Sequence, residues 1–256
     1  MRVAVAALIL AVSAPALAQS ALAQSAPQDW NQTEANTGKG HRVGNPEAPV
    51  QLIEFVSYTC PHCAHYAEVS EGALRLGYVG EGKAAVEVRH VIRNPVDLAA
   101  ALTTECGPED KFFDRHRAMF LAYDEWIAKA QAATPAQQTR WRSGTIGQQM
   151  QAIANDLDFY QIMEPLGVST AQLDRCLTDA ARAEAIRDAS QANSAEFAVP
   201  GTPSFVINGA LLPDVYSWEA LQPLIEQTAS APAGLTGRQF YARANFWRFA
   251  QAFTIV

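Results

Sequence analysis

Residues 50–63 read Val50-Gln51-Leu52-Ile53-Glu54-Phe55-Val56, then Ser57-Tyr58-Thr59, then Cys60-Pro61-His62-Cys63. Val50 to Val56 is a mostly apolar run of the kind found in buried strands of parallel sheets. Glu54 stands in its middle, which is costly unless the acid has a purpose. After Cys60 the period changes. Cys63, Ala67, Ser70 and Leu74 fall at helical spacing with Tyr66 beside them, and Gly77 can stop that helix. Val86, Val88, His90 and Ile92 then alternate with Glu87 and Arg89, a second strand. Strand, helix and strand with short connections imply a right-handed βαβ unit.

From about 95 to 197 the pattern is helical. Leu98, Leu102 and Cys106 share one face, and Gly107-Pro108 ends that helix. Phe112, Phe113, Met119, Phe120, Tyr123 and Trp126 populate the next segment. Ser169-Thr170-Ala171-Gln172 reads as a capping box opening one long helix through Leu173, Cys176, Leu177 and Ala180. Strand signals return at Ser204–Ile207, and Asn208-Gly209 is a strong hairpin signal. Ser217 caps a last helix with Leu221 and Leu224, although Pro223 inside it removes a donor. The expected fold is α/β: a mixed sheet with helices on both sides, its core at 47–94 and 198–229, with a helical domain inserted at 95–197.

The ends read differently. Arg2, the apolar run Val3–Val12 and the small-residue patterns Ala16-Leu17-Ala18 and Ala21-Leu22-Ala23 form a secretory signal peptide, residues 1–23, cleaved after Ala18 or Ala23. Residues 24–46 are polar and read as a flexible leader. Residues 230–256 form an extension in which Phe246, Phe249, Phe253 and Val256 recur at helical spacing beside Arg238, Arg243 and Arg248. That extension is read either as a helix packed on its own domain or loosely disordered, or as a membrane-surface or partner helix. The 256-residue chain has a net charge of −7, 49% hydrophobic and 18% charged residues. This fits a globular protein and argues against a nucleic-acid partner.

Export makes disulfide chemistry available to the four cysteines, Cys60, Cys63, Cys106 and Cys176. Cys60 sits at the strand-to-helix junction, where free N–H groups and the helix dipole favour a thiolate. Cys63, one turn on, can bond to it but faces the core. Cys60 is therefore the exposed attacking or attacked sulfur, and Cys63 resolves the mixed disulfide. Pro61 suits the first helical turn. His62 can stabilise the Cys60 thiolate and so make the disulfide more oxidising. Other uses of CxxC fit poorly. Cys106 and Cys176 form no second CxxC for zinc, and Ala64 stands where covalent haem attachment needs His. A static bridge closing so short a loop gives little stability. No metal or cofactor is expected. Cys106 and Cys176 are either a structural disulfide or two buried thiols, and an oxidising compartment favours the bond. His90 and His116 read as structural or exposed.

Phe55–Cys63, Thr202-Pro203 and the helical insert between them resemble the DsbA-type proteins of the bacterial periplasm, over roughly residues 41–229. Glu54, six residues before Cys60, matches the buried acid of the thioredoxin superfamily. The resemblance implies a thioredoxin fold and a role as disulfide donor to reduced exported proteins, with reoxidation by a quinone-coupled membrane partner. It implies a cis bond at Pro203, presenting Thr202 to an extended substrate. For Glu54 it implies proton exchange with Cys63 at a raised pKa, the alternative being a carboxylate satisfied by backbone or water. The rival functions are a disulfide isomerase or reductase, and a redox-inert binding or chaperone module.

Overall fold

The structure is a computed structural model, and it describes residues 28–231. The expected signal peptide, the first residues of the leader and all but the start of the C-terminal extension lie outside the described residues. The elements run β1 (Glu34–Asn36), β2 (His41–Gly44), β3 (Val50–Val56), α1 (Pro61–Leu74), β4 (Ala84–His90), α2 (Pro95–Thr104), α3 (Phe112–Leu121), α4 (Tyr123–Gln131), α5 (Pro135–Arg140), α6 (Ile146–Asp156), α7 (Phe159–Met163), α8 (Thr170–Thr178), α9 (Ala180–Glu196), β5 (Ser204–Ile207), β6 (Ala210–Leu211) and α10 (Trp218–Ala229).

The six strands form one mixed sheet in the order β1-β2-β4-β3-β5-β6. Among the described residues only β3 and β4 pair in parallel, joined through α1 as the βαβ pattern requires. β5 runs antiparallel to β3, with Glu54 opposite Phe205, and turns at Asn208-Gly209 into β6. Both turn residues have positive φ, 49° and 81°, which suits Asn and Gly and matches the twist of the strands. The sheet therefore closes around β3, the strand that leads into Cys60. Leu52, Val86, Phe205 and Ile207 pack with Tyr66 and Leu74 of α1 and with Leu221 and Ile225 of α10. A second core fills the helical insert and reaches the dithiol, joining Cys60 and Cys63 to Leu98, Leu102, Phe120 and Trp126.

Two expectations are corrected. Residues 24–46 are not simply a loose leader: β1 and β2 lie within them, and β2 pairs antiparallel with β4. The main-chain groups on that side of β4 need partners wherever water is excluded. The polar composition hid the two inward positions that hold β2 in place. Val43 is buried, and the ring of buried His41 stacks on Phe112 at 3.7 Å. The sheet thus begins near residue 34. The long helix read from Ser169 is instead two. Ser169 does cap α8, but Asp179 interrupts the run, and its carboxylate accepts the Arg182 N–H to start α9.

Candidate active site

β3 ends at Val56, and the turn Ser57–Thr59 delivers Cys60 to the N-cap of α1 with Pro61 at the first helical position. Cys60 is extended at φ −92° and ψ 118°, and its carbonyl accepts the Cys63 and Ala64 N–H groups at 3.1 Å. The two sulfurs are not bonded to each other. Opposite them, the Thr202–Pro203 bond is cis and leads into β5. The Cys60 thiol lies 3.1 Å from the Thr202 carbonyl oxygen and donates to it. The closeness of this loop leaves Cys60 3% exposed, against 0% for Cys63. Cys60 is the outer sulfur, as its position implies, but it is far less open than the sequence reading supposed.

The surroundings split the two acidities. The Cys63 thiol, donating to Cys60, contributes most to holding the Cys60 thiol down to about 5; burial opposes this, while Thr202 and the Cys63 and His62 backbone N–H groups assist. Among the described residues the buried Thr202 hydroxyl has no hydrogen-bond partner. Burial first, and then the Cys60 sulfur, push the Cys63 thiol well above the usual range. A stable thiolate therefore sits outside a thiol that keeps its proton. The His62 side chain is exposed; among the groups holding Cys60 down it enters through its backbone N–H.

Glu54 is buried, and burial raises its carboxyl to about 7. Its hydrogen bond comes from the Tyr66 hydroxyl of α1. Glu54 and Cys63 line one cavity. His90 and His116 are both buried. His90 Nε2 lies 3.4 Å from Glu105, and His116 Nδ1 lies 2.7 Å from the Tyr58 hydroxyl. Cys106 and Cys176 are bonded to each other across 70 residues, linking the end of α2 to α8.

Sequence reasoning missed what holds the turn before Cys60. Asp97, fully buried in the first turn of α2, accepts from the Ser57 hydroxyl and the Thr59 N–H, both at 2.8 Å. Its other oxygen accepts from the Arg93 N–H and the Asn94 amide. Arg93 reaches back to Ser57 and Thr59 as well. One carboxylate thus ties the turn before Cys60 to the inserted domain. The available signal was Asn94-Pro95 followed by Asp97, a cap, a first-turn proline and a first-turn acid. Asp97→Asn turns one acceptor into a donor facing donors, so unfolding free energy should fall by roughly 2–3 kcal/mol. Urea titration measures it; an unchanged midpoint would show that the network contributes nothing.

The fold and this site define a thioredoxin-fold protein with a DsbA-type helical insert and a dithiol at the mouth of α1. A family model described as Thioredoxin matches residues 36–227, and the chain belongs to that family. A protein-disulfide isomerase of known structure from Novosphingobium aromaticivorans is 41% identical, over 74% of this chain and 97% of its own, with a TM-score of 0.71. Wolbachia pipientis alpha-DsbA1 shares the fold at 18% identity, covering 73% of this chain and 89% of its own, with a TM-score of 0.57. A Rickettsia typhi protein, provisionally named a protein-disulfide oxidoreductase, is 35% identical over 85 residues. That match spans only 33% of this chain and 32% of the relative.

Proposed function

We propose that this chain is a periplasmic thiol–disulfide oxidoreductase that donates its Cys60–Cys63 disulfide to reduced exported proteins. The observation that carries the reading is geometric: Cys60 caps α1 opposite the cis Thr202–Pro203 bond, with Cys63 buried one turn further in, an arrangement that holds the Cys60 thiol down to about 5 and pushes the Cys63 thiol up. A substrate thiolate attacks Cys60 Sγ, the S–S bond breaks, and Cys63 leaves with the electron pair and takes a proton. A second substrate thiolate then attacks the substrate sulfur of the mixed disulfide, and Cys60 leaves as a thiolate. The substrate loses two electrons and the CPHC pair gains them. A stabilised Cys60 thiolate favours the reduced enzyme and so makes the disulfide oxidising. Glu54 is the proton donor to Cys63, and Thr202-Pro203 meets the substrate chain. The secretory pattern at 1–23 supports export, and the family resemblance supports a quinone-coupled membrane reoxidase as partner.

A second reading is isomerisation, favoured by the name of the 41% identical Novosphingobium protein. The two part in one assay. The oxidised protein should speed the folding of a reduced, multi-disulfide substrate, and its potential should lie well above the ~−270 mV of thioredoxin. Repair of scrambled substrate without oxidation of reduced substrate would make isomerisation the function.

A further inference from the structure

On the face of α1 turned to the sheet, Cys63, Tyr66, Ser70 and Glu71 fall at i, i+3, i+7 and i+8, neighbouring positions on one side of a helix. All four line one cavity of about 560 Å³ together with Glu54 of β3. His116 and Arg117 of α3 line the same cavity. Cys63, Tyr66 and Ser70 are buried, whereas Glu71 is half-buried. Eight residues of helix separate Cys63 from Glu71, about 12 Å along the axis. The row therefore leads from the buried thiol towards solvent through a space large enough for several waters. At its inner end the Tyr66 hydroxyl donates to Glu54 Oε1.

We propose that Tyr66 and Glu71 are positioning residues for proton transfer at Cys63: Tyr66 holds the Glu54 carboxyl, and Glu71 connects it to solvent along the cavity. This rests on the exchange proposed above. When a substrate thiolate attacks Cys60 Sγ, the Cys60–Cys63 bond breaks and Cys63 Sγ carries the electron pair. It takes one proton from the Glu54 carboxyl, which becomes a carboxylate. One proton from solvent, relayed by Glu71, restores Glu54. The charges around the path agree. The Glu71 anion raises the proton affinity of Glu54, and the Tyr66 donor lowers it. Glu71 itself faces Arg75 beyond α1 and Arg117 and Asp114 of α3, and its own carboxyl is raised, chiefly by burial. Beside Glu54 on the neighbouring strands stand Val88 and Phe205, which carry no charge.

The test is single-turnover reduction of the Cys60–Cys63 disulfide by dithiothreitol, quenched with acid and alkylated. Rates are referred to the reagent's thiolate concentration from pH 5 to 9. In the wild type the corrected rate should fall as pH rises through the Glu54 midpoint. Glu71→Gln removes an anion and should move that midpoint down; Tyr66→Phe removes a donor and should move it up. Glu71→Asp should restore the wild-type profile. Glu54→Gln should abolish the inflection, with a loss on the order of 100-fold. Opposite shifts are not what loosened packing produces. If Tyr66→Phe does not fold, the half-buried Glu71 pair carries the test alone. A folded Glu71→Gln with the wild-type midpoint overturns the proposal, as does a wild type without an inflection. A disulfide that dithiothreitol reduces but reduced protein substrates do not would instead sink the proposed function and leave this one standing.

Discussion

Replacing Cys60 with serine should abolish disulfide transfer altogether and should also remove a pH-dependent part of the stability of the dithiol form. The first effect follows from the chemistry: the serine oxygen cannot form the mixed disulfide, and Cys63 is wholly buried and keeps its proton. The second follows from linkage. The Cys60 thiol is held at about 5 in the folded protein, below the ~8.5 of an unfolded cysteine. A depressed value means that the folded state favours the anion. Its contribution is therefore complete above ~8.5, declines as pH falls, and is gone once pH has passed below the folded value. Denaturant midpoints of the reduced wild type and of Cys60→Ser should differ most near pH 9 and converge towards pH 5. Thiolate absorbance of the reduced protein should titrate over the same window. Parallel midpoints at every pH, or a thiol ionising near 8.5, would remove the basis for an oxidising pair.

The second large effect concerns the other pair. Changing both Cys106 and Cys176 to alanine should lower unfolding free energy by about 4 kcal/mol, the chain-entropy value for a loop of this length. The bond spans 70 residues and fastens the end of α2 to α8. α2 also carries Asp97, which holds the turn before Cys60. The groups that hold the Cys60 thiol down are Cys63, Thr202 and the first N–H groups of α1, and neither distant cysteine is among them. Thermal or urea unfolding should therefore show a large loss while the Cys60 titration stays in place. A stability change under 1 kcal/mol would mean that the reduced insert is held equally well by packing alone. A moved titration would mean that the insert reaches Cys60 through Asp97.

Much of the fold was legible because its signals are local. The period switch at Cys60, the Asn208-Gly209 turn and the Ser217 cap each depend on a few neighbouring residues, and the structure places a junction, a hairpin and a helix start there. Signals failed where tertiary context decided. His41 and Val43 sit in a polar stretch and belong to a strand only because β4 offers an edge. Asp179 interrupts a continuous helical pattern because its carboxylate competes for the next helix's first N–H groups. Tyr66 was visible at helical spacing from Cys63, but its role depends on a strand twelve residues away in sequence.

The sequence by itself determined which atoms can react and where the chain turns to present them: two sulfurs one helical turn apart, a proline that fits the first turn, and an acid six residues upstream. These are short-range matters of spacing and helix geometry. The tertiary structure alone decided how acidic each sulfur is, that the Thr202 loop covers Cys60, that Asp97 fastens the turn, and that Glu54 answers to Tyr66. Each of these is a question of which groups approach within a few ångströms with water excluded, and only the packing of distant segments settles it.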